Sequence, residues 1–174
     1  MRSFAEERKE GTYILLATRP LSDWQIVLAK YFSCMVLLAF SLIPTFFYYY
    51  SIYHLGMPEG NVDTGAILGS YAGLLLLGAT FAAIGLFASS ITNNQVIAFS
   101  LSVFACFIAY SGFDAMSKIY ALQFMESWLL ALSVNTHYQS ISRGVLDTRD
   151  LVYFISMILV FLGATKMVLG GRKW

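Results

Sequence analysis

The sequence predicts an all-α, polytopic helical membrane protein with four transmembrane helices, a cytoplasmic segment ahead of the first and an external amphipathic helical segment ahead of the last. Three observations carry this reading. Of the 174 residues, 58% are hydrophobic and only 12% are charged, against roughly 25% charged in soluble domains, so the apolar surplus must face something other than water. Residues 64–113 contain no Asp, Glu, Lys or Arg. One crossing takes roughly 20 apolar residues, so that stretch holds two crossings and a turn. The basic residues gather mostly near the two ends, which under the positive-inside rule leaves both termini in the cytoplasm.

Residues 1–30 are charged and amphipathic throughout and lack the apolar core and small-residue cleavage site of a signal peptide, so this segment is expected to stay cytoplasmic. Ser22 and Gln25 form a capping-box pair, with Leu21 and Ile26 at the staple positions around it. A helix is therefore predicted to start at Ser22 and run into the first span, with Arg19-Pro20 separating it from what precedes. That span, 31–53, contains Pro44, whose missing N–H should kink the helix, and Ser41 or Thr45 could satisfy the freed carbonyls. Tyr48, Tyr49, Tyr50 and Tyr53 cluster at its far end, as an interfacial aromatic belt does. The following loop, 54–65, carries no basic residue and is predicted to be external.

The second span, 66–91, places Gly69 with Gly73, Gly78 with Ala82 and Gly85 with Ser89 at small-xxx-small spacing. Small residues let helix backbones approach closely, and either packing within the chain or a dimer face would use them. A polar cytoplasmic turn at 92–95 leads to a third span, 96–113, so the two spans form a tight hairpin. In 114–150, Ile119, Leu122, Met125, Leu129 and Leu132 recur at helical spacing, with Lys118, Gln123 and Glu126 between them. That pattern reads as an external amphipathic or partly re-entrant segment. Asp150 then precedes the last span, 151–169, with Lys166 close enough to its end to snorkel, and 170–174 is a cytoplasmic tail. The rival topology has a fifth crossing between Lys118 and Val134. It would put Glu126 near mid-bilayer, at about 2.5 to 3.5 kcal/mol, and send Lys166, Arg172 and Lys173 outside.

Several function classes are excluded by what the residues lack. The net charge of +1, with basic residues not interleaved with aromatics, gives no nucleic-acid partner. Cys34 and Cys106 lie in apolar runs and read as small buried hydrophobes. No G-x-x-x-x-G-K-[ST] is present to cradle a nucleotide phosphate. His54 and His137 stand apart from any Ser-His-Asp, H-E-x-x-H or paired-carboxylate pattern, so neither a catalytic nor a metal site is expected. His137 and Tyr138 are expected at the outer interface and, with Arg143, are the candidates for an external gate. Arg143, Asp147, Arg149 and Asp150 read as a solvated, ion-paired edge. Without ionisable residues inside the spans, a channel or ion-coupled carrier is disfavoured.

The front of the chain is the most informative part. On physical grounds alone, residues 7–16, with Tyr13, Leu15 and Leu16 beside mixed charges, suit a lipid-interface helix or a protein-docking helix equally. Their order is E-E-x-x-x-G-T-x-x-L-L-x-x-x-P-x-S, followed by a Lys at the start of a span: Glu6, Glu7, Gly11, Thr12, Leu15, Leu16, Pro20, Ser22 and Lys30. This resembles the cytoplasmic loop between the second and third transmembrane helices of ABC-2 type permeases. The resemblance implies a coupling segment in 1–30 that docks, through Glu6, Glu7, Gly11, Thr12, Leu15, Leu16 and Pro20, on a separate ATP-binding subunit. ATP and Mg would then belong to that partner, with no cofactor and no enzymatic activity in this chain. It also implies a second permease subunit, as homo- or heterodimer, and a bacterial inner (cytoplasmic) membrane. Residues 61–71, 85–90 and 137–150 look more narrowly like the gliding-motility-associated permease subunit. The family has six transmembrane helices, two of them ahead of the coupling loop, so this chain is expected to lack the first two. A non-transporting scaffold or anchor of a cell-envelope motility complex is the alternative.

Overall fold

The helix that Ser22 and Gln25 announce is formed. The computed structural model describes residues 22–56, 62–119, 124, 126–144 and 147–171. The Gln25 N–H donates to Ser22 Oγ at 3.4 Å, and the Ser22 N–H donates to Gln25 Oε1 at 3.0 Å, closing the capping box reciprocally. From this cap α1 (Asp23–Leu42) rises, tightens into a 3-10 turn at Ile43–Thr45 and continues as α2 (Phe46–Leu55). The tightening is how the chain accommodates Pro44, which has no N–H to give. The flanking hydroxyls back-bond to the preceding turn, Ser41 Oγ to the Leu38 carbonyl at 2.7 Å and Thr45 Oγ1 to the Leu42 carbonyl at 2.6 Å.

The helices that follow begin at short polar caps and run somewhat beyond the apolar stretches. Asp63 accepts from the Ala66 N–H at 3.0 Å and starts α3 (Thr64–Ile91). Asn94 accepts from the Val96 N–H at 2.9 Å and starts α4 (Gln95–Phe107), so α3 and α4 form the expected tight hairpin. α4 passes through a π turn (Ile108–Gly112) into α5 (Phe113–Ser117). Two short helices, α6 (Glu126–Leu132) and α7 (Val134–Ser142), precede α8 (Thr148–Gly170), where Asp147 accepts from the Arg149 N–H at 3.0 Å.

Four helical stretches are long and apolar enough to cross a membrane: Asp23–Leu55, Thr64–Ile91, Gln95–Ser117 and Thr148–Gly170. Among the described residues all regular structure is helical, giving the all-α polytopic architecture expected. Among the described residues, no long helix lies in the interval of the rival fifth crossing. α5 ends at Ser117, and extended backbone at Ser133 separates α6, of 7 residues, from α7, of 9, against the roughly 20 that a crossing requires.

α3 is the centre of the assembly. Half of its most apolar window is buried, against 17% for each of the other three spans, and it packs on α1, α4, α7 and α8. Its small side chains explain the position, because Ala79, Ala83 and Ala88 let neighbours close in to burial. One core cluster joins Ile26, Val27 and Tyr31 of α1 to Leu86 of α3 and to Leu162 and Leu169 of α8. A second joins Ile84 of α3, Ala109 of the π turn, Val134 and Ile141 of α7, and Phe154 of α8. The start of α1 therefore meets the end of α3, while Phe46 of α2 stacks on Tyr71 near the start of α3 with ring centroids 4.6 Å apart. The spans alternate in direction. Ser22, the 92–94 turn and the end of α8 share one face of the molecule, and α6, α7 and the start of α8 form the other.

Candidate functional site

The docking residues Glu6, Glu7, Gly11, Thr12, Leu15, Leu16 and Pro20 lie outside the described residues. The helix they lead into is described, and it rests on the far end of α8. Lys166 Nζ sits 5.3 Å from the Trp24 ring centroid, a cation–π contact between α8 and the first turns of α1. A Cβ on Gly170 would lie 3.4 Å from Asp23 Oδ2, so the two helix ends are in touch. Beneath them Val27 is fully buried.

On the opposite face α7 lies across the first half of α3, and the glycines of α3 make room for it. A Cβ on Gly69 would come within 2.7 Å of the Ile141 carbonyl oxygen and 2.8 Å of Gly144 Cα, both backbone atoms that cannot swing aside. At Gly73 it would meet the Tyr138 ring at 3.2 Å and Ile141 Cγ2 at 3.3 Å. Ser70 Oγ donates to the Ser142 carbonyl at 3.1 Å. Gly144 closes α7 with φ of +84°, a conformation glycine adopts without steric cost, and leaves no space for a Cβ against Gly65 and Ala66. Gly78 faces the Leu38 side chain of α1, and Ala82 packs at the fringe of the core cluster that joins α1, α3 and α8. These small residues are thus occupied by contacts inside the chain.

His137 and Tyr138 lie on α7, both partly buried, whereas Arg143 is exposed just beyond it. The structure does not bring the three together around one point. It brings His137 to Asp150 instead. His137 Nδ1 is 2.6 Å from Asp150 Oδ1 and its Nε2 is 3.1 Å from the Ala131 carbonyl oxygen. The ring stacks on Tyr153, centroids 4.0 Å apart, and the Tyr153 hydroxyl donates to the Leu132 carbonyl at 2.6 Å. One imidazole and one phenol thereby tie α6 and α7 to the first turns of α8.

This corrects the expectation for Asp150. It does not sit on a solvated edge with Arg143, Asp147 and Arg149; those three are exposed, and Asp150 is buried at 5% exposure. The physical reason is the position of the cap. Asp147, not Asp150, ends the loop, so Asp150 is already inside α8 and turned toward the bundle. The three-residue spacing of Asp147 and Asp150 is a capping-box-like pattern and was the available signal. Among the described residues, two buried oxygens, Asp150 Oδ2 and Ser133 Oγ, find no hydrogen-bond partner.

Among the described residues, no three His, Cys, Asp or Glu side chains gather in a way that could hold a metal ion. Cys34 and Cys106 are free thiols of intermediate burial. Two clefts are apolar: an open groove of about 530 Å³ along Ile43, Phe46, Phe47, Tyr49 and Tyr50, and one of about 240 Å³ where Leu77 and Phe81 face Cys106, Phe107 and Tyr110. Such surfaces suit hydrocarbon, and the polar chemistry of the described part is concentrated at the two ends of α8.

No curated protein is found to be similar to the chain. The family model described as ABC-2 family transporter protein matches residues 1–171, almost the whole chain. With four helical stretches able to cross a membrane, α3 at their centre, and over that extent of match, the chain belongs to the ABC-2 transporter family as a multi-pass membrane permease subunit.

Proposed function

We propose that this subunit belongs to an exporter linked to gliding motility and sits in the bacterial inner membrane with both termini cytoplasmic. Two permease subunits pack together, and each receives an ABC ATP-binding subunit, which carries ATP and Mg. Glu6, Glu7, Gly11, Thr12, Leu15, Leu16 and Pro20 form the docking segment, and the α6–α7 segment with His137, Tyr138 and Arg143 serves as the external gate. The family match over residues 1–171 is the observation that carries the reading, and the capping box at Ser22 supports it. A helix that starts on a reciprocal cap at the end of a docking segment passes a push into the bundle as a rigid body. Closure of the ATP-binding subunits around nucleotide supplies the bias that a two-state membrane element needs. Narrower resemblance in residues 61–71, 85–90 and 137–150 supports the link to gliding.

The test is co-purification from detergent with the ATP-binding subunit, through a tag after Trp174. Leu15→Asp is expected to abolish recovery of that subunit while leaving membrane insertion intact, because a charge replaces an apolar docking contact. Full recovery by Leu15→Asp would remove the docking role. A wild-type complex that showed no substrate-stimulated ATP hydrolysis would point to a scaffold of the cell envelope instead.

A further inference from the structure

Both ring nitrogens of His137 face acceptors: Asp150 Oδ1 at 2.6 Å from Nδ1, and the Ala131 carbonyl at 3.1 Å from Nε2. A neutral imidazole carries a single N–H and can donate to only one of them. The carbonyl has no proton to offer, so a hydrogen bond at this contact requires the proton on Nε2. A second proton must then lie between Nδ1 and Oδ1, whether it belongs to an imidazolium or to a carboxylic acid. Either way, the junction as found holds one proton more than a separated carboxylate and neutral imidazole. The two side chains are only 11% and 7% exposed, so an unpaired acceptor on Asp150 is costly, whereas the Ala131 carbonyl belongs to an exposed residue.

From this geometry we infer that the His137–Asp150 junction is a proton-operated latch. Uptake of one proton by the pair fastens α6 and α7 to α8 through the imidazole, and its release loosens one of those two ties, while the Tyr153–Leu132 bond remains. The ring is well placed for that role because it reaches three helices at once: Ala131 belongs to α6, His137 to α7 and Asp150 to α8. On deprotonation either the tie to α6 or the tie to α8 must break. The sign follows directly: the latch is closed while the pair holds the extra proton, at lower pH, and opens when that proton leaves as pH rises. The other ionisable groups on the elements around α7 are few. α8 brings Tyr153, stacked on the ring, and Arg149, which is exposed; α6 brings exposed Glu126; the π turn brings Tyr110 and α3 brings Tyr71, while Tyr138 on α7 itself packs against Gly73. Among these groups only Tyr153, through the ring stack, is seen in contact with His137. The latch stands on its own geometry, whereas its use as a gate rests on the transport reading above.

The experiment uses the full chain in lipid nanodiscs, labelled with 15N-histidine and carrying His54→Gln so that His137 is the one histidine observed. Between about pH 5 and 8, the ring is expected to show a proton on or shared by both nitrogens at the acidic end and to lose one on raising the pH. Backbone hydrogen exchange in α6 and α7, corrected for its intrinsic pH dependence, is expected to accelerate in parallel by about tenfold, the scale of one lost charge-assisted hydrogen bond. Asp150→Asn and His137→Gln should each remove that pH dependence. A single neutral tautomer across the range, or a ring that titrates while exchange in α6 and α7 stays flat, would overturn the latch. An intact latch in a chain that fails to bind its ATP-binding subunit would leave the inference standing and remove the transport reading.

Discussion

The two ends of α8 are held by different physics. At the Lys166 end α8 meets α1 through fitted apolar surface, with Val27, Leu86, Leu162 and Leu169 buried together and a cation–π contact at the rim. At the Asp150 end it meets α6 and α7 through directional bonds: one carboxylate, one imidazole and one phenol, each reaching a defined partner. In a bilayer the apolar end gains little from excluding water and depends on close packing. The polar end depends on every donor finding its acceptor, and its strength can therefore change with a single proton. A contact made of shape holds steady, while one made of hydrogen bonds can switch.

That contrast can be broken from either side. Asp150→Ala should have the largest effect, about 3 kcal/mol, because it leaves the His137 donor buried without its carboxylate. Thermal unfolding in detergent would read the loss, and hydrogen exchange should place it in α6 and α7 while the first turns of α1 stay protected. Gly69→Ala should cost about 2 kcal/mol, since its Cβ would meet the Ile141 and Gly144 backbone. It too should loosen α7, but by the same amount at every pH, which separates a steric wedge from the latch. Ser22→Ala should be the mildest, under about 1 kcal/mol for a lost N-cap. Its signature is faster exchange at the start of α1 with α6 and α7 unchanged, and loosening of α6 and α7 in this variant would show that the two ends are not independent.

The sequence was most legible where a structural rule is local. Ser22 and Gln25 lie three residues apart and specify a cap that is formed. Runs of apolar residues specify the spans because a bilayer demands length and composition and little else. The spacing of Gly69 and Gly73 does not say what approaches them, and the neighbour is α7, some seventy residues further along, as the Ser70–Ser142 bond shows. The His137–Asp150 pair was illegible for a related reason. Each residue looked ordinary by itself, one an isolated histidine and the other an acid at a helix start. Their meeting depends on the turn after Ser142 folding α7 back beside α8, which no periodicity encodes. Pro44 falls between these cases: a disturbance was foreseeable, and its form, one turn of 3-10 helix with the hydroxyls of Ser41 and Thr45 beside it, depended on local geometry.

The rod made by α1 and α2 has a consequence in height. Its 33 residues rise about 50 Å at 1.5 Å each, whereas the hydrocarbon layer is about 30 Å thick. The polar residues Asp23, Gln25 and Lys30 lie in the first turns, so the surplus belongs to that end and the cap at Ser22 stands roughly 10 Å clear of Lys30. The first turns of α1 thus act as a short mast, and its length fixes the altitude above the lipid at which anything seated on residues 1–21 meets the membrane.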